Sequence, residues 1–114
     1  MKINTVGCKI NGVMTDIVIS NFQDNLFIVI TQYKKIGNII RVRKDTDPAL
    51  ENQEEVYKLT YLFGKEDIPT LAAVRLLSEK IAISKNTIFA LTLKEINPSV
   101  LNALVEVLNK HRTW

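Results

Sequence analysis

Few side chains in this 114-residue chain are suited to chemistry, and their spacing assembles no reaction centre. The single histidine, His111, follows the last predicted helix, where a cation complements the helix dipole. The single cysteine, Cys8, sits in the first predicted strand and reads as a small packed residue rather than a nucleophile. One imidazole and one thiol do not make a zinc site. Gly7, Gly12, Gly37 and Gly64 are scattered, so no phosphate-cradling loop or dinucleotide fingerprint is present. Glu66-Asp67 precedes a predicted helix, where negative charge is stabilising without any catalytic role. A protein with no enzymatic activity and no cofactor or metal is expected.

The densest charged feature is acidic. Asp45, Asp47, Glu51, Glu54 and Glu55 fall within residues 45–55, a stretch without Lys or Arg, in a chain of net charge +3. Their spacing does not match the calcium-binding loop, and no glycine supplies its sharp turn. A basic body bearing one acidic segment steers partners by charge, so these five acids are the candidate partner-binding residues. The basic residues suggest a rival. Lys34, Lys35, Arg41, Arg43 and Lys44 cluster around one hairpin, and Tyr57 and Tyr61 share a strand face, as base-stacking aromatics do. A small basic RNA-binding module is therefore the alternative reading. Against it, the chain has no aromatic-rich RNA-binding signature and its elements do not follow a βαββαβ order.

The elements that must position these residues are legible. Val6 to Ile10 and Val13 to Ile19 read as strands joined by Asn11-Gly12, a strong signal for a two-residue type I′ hairpin. Leu26 to Gln32, Asn38 to Lys44, Val56 to Phe63 and Ile88 to Leu93 read as four more strands. A helix is predicted from about Pro69 to Ile83, with Leu71, Val74, Leu77 and Ile81 as its buried stripe and Arg75–Glu79 as a surface pair. A second is predicted with Asn97 as cap and Pro98 in its first turn. Its stripe is Leu101, Leu104, Val105 and Leu108, with Glu106–Lys110 as a surface pair.

Length and composition predict one domain over residues 1–114, able to hold a core without disulfides. The first residues do not read as a signal peptide, and no run approaches the roughly 20 apolar residues that span a bilayer. A soluble intracellular protein is expected. Short connections among the first five strands favour antiparallel pairing. The expected architecture is α+β: a six-stranded, mostly antiparallel sheet with two main helices packed on one face.

Helix cover is where the sequence is most informative. Leu26-Phe27-Ile28-Val29-Ile30 and Ile88-Phe89-Ala90-Leu91-Thr92-Leu93 are apolar on both sides at strand spacing. Such strands belong in the middle of a sheet with both faces covered. The fourth and fifth strands, with mixed faces, suit the periphery. In the fifth, Tyr57, Leu59, Tyr61 and Phe63 should line one face, and Val56, Lys58, Thr60 and Leu62 the other. Two helices cover only one face. About ten apolar side chains on the second face make a patch on the order of several hundred Å², at or above what monomers expose. A dimer interface of about 800 Å² per partner would hide it. The second face is therefore expected to serve dimerisation.

The third strand and its turn carry a family resemblance. Thr31-Gln32-Tyr33-Lys34-Lys35-Ile36-Gly37, after the run Leu26 to Ile30, resembles the corresponding strand end and turn of the proteasome assembly chaperone 3 family. Gly12 and Thr15, Leu62-Phe63-Gly64, and a short last helix ending at Trp114 match as well. The likeness covers about residues 10 to 114, although the family's turn often has glycine where Lys34 stands. It implies a non-enzymatic, cytoplasmic chaperone with a six-stranded antiparallel sheet and helices. Such proteins pair with the related proteasome assembly chaperone 4, or form homodimers. They help α-type subunits form the ring of the 20S proteasome and then leave. With that role, the acids of the 45–55 segment are expected to dock on basic α-subunit surface.

Overall fold

The computed structural model describes residues 2–33, 37–46 and 55–114. In chain order the elements are β1 (Lys2–Ile10), β2 (Val13–Asn21), β3 (Asn25–Thr31), β4 (Asn38–Thr46), β5 (Glu55–Phe63), α1 (Ile68–Lys80), β6 (Asn86–Thr92) and α2 (Pro98–Lys110). The six strands form one sheet in the order β1-β2-β3-β6-β4-β5. All neighbours are antiparallel except β3 and β6. The two fully apolar strands are thus the central pair, as their composition requires.

Local chemistry explains the ends of these elements. Asn11 and Gly12 take φ of +50° and +80°, and Ile10 pairs with Val13 across them, the geometry of a type I′ turn. Asp67 caps α1 by accepting the Thr70 N–H at 3.2 Å and the Thr70 hydroxyl at 2.6 Å. This places the start of α1 at Ile68, one residue before the expected proline. Asn97 caps α2 by accepting the Val100 N–H at 2.9 Å, with Pro98 following it as expected.

Both helices lie on the same side of the sheet. Ile17, Ile19, Leu26, Ile28, Ile30, Ile40, Val42, Phe89 and Leu91 point to that side. They form one core with Val74 and Leu77 of α1 and Leu104 and Leu108 of α2. Among the described residues neither expected surface ion pair closes. Arg75 donates instead to the Tyr57 carbonyl at 2.8 Å, fastening α1 to β5, and Glu106–Lys110 stays open. A fixed backbone acceptor outcompetes a mobile, solvated carboxylate.

Beyond α2 the chain turns back over α1. Asn4 donates to the His111 carbonyl at 3.1 Å, and Asn21 donates to the Thr113 carbonyl. Arg112 and the Trp114 indole both donate to the Ile81 carbonyl, at 2.8 and 3.2 Å. They satisfy an acceptor that the end of α1 leaves open. Trp114 is thereby folded against its own chain.

Candidate interaction surface

Alternation along each strand leaves a second set of side chains on the side away from the helices. The register lines them up across the sheet. One row runs Thr5, Val18, Val29, Ala90, Ile39 and Phe63; the next runs Ile3, Ser20, Phe27, Ile88, Arg41 and Thr60. The centre of this face is aliphatic and aromatic, and its margins mix Thr, Ser, Lys, Arg and Asp16 with the exposed apolar side chains of Ile3, Met14 and Phe63. None of Val18, Phe27, Val29, Ile39 or Ile88 packs on the helix-side core. They are half-buried only because neighbouring strands crowd them, while Ile3 and Met14 on the outer strands are each 55% exposed.

One apolar side chain reaches this face by a route the sequence conceals. The β4–β5 register shifts between Ile39 and Ile40, so Phe63 pairs with Ile39 while Tyr61 pairs with Ile40. A bulge of this kind breaks the alternation. Phe63, expected to line up with Tyr57 and Tyr61, instead extends the open-face row and is 59% exposed.

A tight junction sits behind the bulge. Gly64 has φ +101°, and a Cβ there would fall 2.6 Å from the Gly37 carbonyl oxygen. Gly37 donates its N–H to the Thr92 hydroxyl at 2.7 Å. Only residues without a side chain allow this approach of β5 to β4 and β6. Nearby, Gln32 ties three strands together. Its Nε2 donates to the Thr15 hydroxyl at 3.0 Å, and its Oε1 accepts the Lys94 N–H at 2.8 Å. Thr15, Gln32, Gly37 and Gly64 thus all hold the sheet in shape.

The nucleic-acid reading loses its stacking platform. Tyr57 and Tyr61 do share a face, but it is the helix-packed one. Tyr57 donates its hydroxyl to the Ile83 carbonyl and Tyr61 to Asn38 Oδ1, both at 3.3 Å. Of the basic cluster, Arg41 and Arg43 are exposed on the open face, Lys44 lies 6.0 Å from the Tyr57 ring centre, and Lys34 and Lys35 fall outside the described residues.

Among the acids singled out above, Asp47, Glu51 and Glu54 lie outside the described residues. The backbones of Asp45 and Glu55 belong to β4 and β5, where Asp45 pairs with Val56 and Glu55 with Thr46. The hairpin is therefore longer than its hydrophobic pattern suggests. Among the described residues no group of three or more His, Cys, Asp or Glu is placed to hold a metal ion. Cys8 is half-buried, and burial, with Asp16 close by, pushes its thiol pKa up, which disfavours the nucleophilic thiolate. Among the described residues no helix is long and apolar enough to cross a membrane.

Comparison with known proteins adds two findings. The sequence model of the family described as proteasome assembly chaperone 3 matches residues 28–111, from within β3 to just past α2. A chain from the crystal structure of a novel chaperone complex for yeast 20S proteasome assembly shares the fold. Its TM-score is 0.74 at 10% identity, covering 96% of this chain and 98% of that one. No curated protein matches the sequence.

Proposed function

Because the chain belongs to the proteasome assembly chaperone 3 family, we propose that it is a non-enzymatic, cytoplasmic chaperone of 20S proteasome assembly. It works as a dimer, with a chaperone resembling proteasome assembly chaperone 4 or with a second copy of itself, and the open face of the sheet is the pairing surface. The observation that carries the pairing is the row Val18, Val29, Ile39 and Phe63, which neither helix of the described chain covers. A surface of this kind on a small protein marks a protein contact. Its apolar centre, with polar and charged residues gathered toward a mixed margin, has the anatomy of an interface.

The chaperone has a second task, to hold α-type ring subunits and then release them. A modest, charge-dominated contact serves release better than a second apolar face. The acids Asp45, Asp47, Glu51, Glu54 and Glu55 supply such a contact, and we assign the ring-subunit encounter to them. Co-purification with tagged α-type subunits tests the function. The chain should accompany assembly intermediates and be missing from finished 20S particles. Equal recovery with both, or with neither, would remove the chaperone reading.

A further inference from the structure

β1 is an edge of the sheet, paired on one side only. It runs nine residues, Lys2–Ile10, in unbroken register with β2, without proline or bulge. Ile10 and Val13 flank the two-residue type I′ turn, so they form a hydrogen-bonded pair. That fixes the direction of every backbone group in the strand. The even-numbered residues bond to β2, and the N–H and C=O groups of Ile3, Thr5, Gly7 and Lys9 point away from the sheet. All four residues are exposed, and among the described residues no backbone bond takes up these groups. The β4–β5 hairpin is the opposite edge, its nearer strand four places or roughly 19 Å away. A row of open donors and acceptors of this length is a template for one more strand.

Side chains along this edge specify the strand it takes. Exposed lysines stand at both ends, Lys2 on the helix side and Lys9 on the open face, and Ile3–Cys8 between them carry no charge. Beside Lys2 lies a hollow of about 330 Å³ lined by Lys2, Asn21, Phe22, Gln23 and Lys85. The Lys85 ammonium is held there, donating to Asn21 Oδ1 at 2.6 Å and to the Phe22 carbonyl at 2.9 Å. In the middle of β1, Gly7 lacks a positive φ, and a Cβ on it would meet only Asp16 Oδ1, at an ordinary 3.8 Å. The fold does not require glycine there, and a glycine inside a strand often marks the close approach of another backbone. Asp16, paired with Gly7 from β2, disfavours an acid at that point of an added strand. We infer that β1 binds an extended segment of another protein by strand addition. The segment lays one carboxylate against Lys9 and another against Lys2, with uncharged residues between. The β1 of a second copy matches poorly, because it brings two more lysines and no acid. The inference rests on the sheet edge and stands whether or not the open face pairs.

Amide hydrogen exchange, followed by NMR on the full chain, tests it. The probe is a peptide blocked at both termini, with a glutamate at each end of Thr-Val-Thr-Ser-Val-Thr. Its counterpart has a lysine at each end. The glutamate peptide should slow exchange at Ile3, Thr5, Gly7 and Lys9 and leave Asn4, Val6 and Cys8, already bonded to β2, as they were. No slowing, equal slowing of both sets, or equal slowing by the lysine peptide overturns the inference. Slowing of the outward set in concentrated protein without peptide would make a second copy the occupant and would equally overturn it. Thr5→Pro removes an outward N–H that β2 does not use, so its circular dichroism should match wild type while the protection disappears. Retained protection in a folded Thr5→Pro chain contradicts strand addition. If that variant fails to fold, Lys9→Gln, which alters no backbone group, takes its place. It should bind the glutamate peptide about threefold more weakly, and unchanged binding overturns the inference.

Discussion

Gln32 donates its amide to the hydroxyl of Thr15, a fully buried residue two strands into the sheet, while its own carbonyl oxygen receives the Lys94 N–H. One side chain thus joins the ends of β2, β3 and β6. Removing it leaves polar groups without partners in a half-dry position, which costs about 1–2 kcal/mol. Gln32→Ala should lower unfolding stability by that amount in urea titration. Gln32→Glu keeps the acceptor for Lys94, loses the donor to Thr15, and should fall between Ala and wild type.

The Gly64–Gly37 junction sets a stricter limit. Alanine at position 64 must hold φ +101° and bring its Cβ within 2.6 Å of a backbone oxygen. Backbone strain and crowding together cost about 3 kcal/mol. Gly64→Ala should therefore lower Tm by roughly 10–15 °C. A change within a degree or two would show that the junction opens freely.

The returning C-terminal segment contributes through α1. Arg112 reaches the carbonyls of Ile81 at 2.8 Å and Ala82 at 3.4 Å, beside the Trp114 ring. Arg112→Ala should cost about 1–2 kcal/mol. Amide exchange should quicken at Ile81 and Ala82 and remain unchanged in β3. Uniform acceleration would mean that the segment supports the whole fold instead of one helix end.

Much of this architecture was legible because it rests on local rules. Alternation located the strands, Asn11-Gly12 the first hairpin, and Asn97 the cap of α2. What escaped depends on contacts between distant residues. Placing β6 between β3 and β4, parallel to β3, follows from packing α1 and α2 on one face, which no local pattern encodes. The bulge opposite Ile39 follows from the close approach of Gly64 to Gly37, and it alone moves Phe63 to the open face. Tyr57 and Tyr61 could be assigned a common face but not which one, since period-two alternation is the same from either side. The acids of residues 45–55 stand out through composition alone, and composition carries no geometry.

The open face makes a sharp mutational prediction. Val29 lies mid-sheet between Val18 and Ala90, uncovered by either helix. A carboxylate there must be desolvated on pairing but remains near water in the unpaired chain. Val29→Asp should weaken pairing by about 100-fold or more, measured by sedimentation, with circular dichroism unchanged. Retained pairing with a native spectrum would move the interface elsewhere.

Photo-crosslinking in cells tests the pairing face most directly. A photoreactive phenylalanine analogue at Phe63, already 59% exposed on the open face, should capture a chaperone chain in high yield. The same probe at Val107, on α2 across the molecule, should not. Adducts formed from Val107 but not from Phe63 would contradict the claim that this chain pairs through the uncovered side of its sheet.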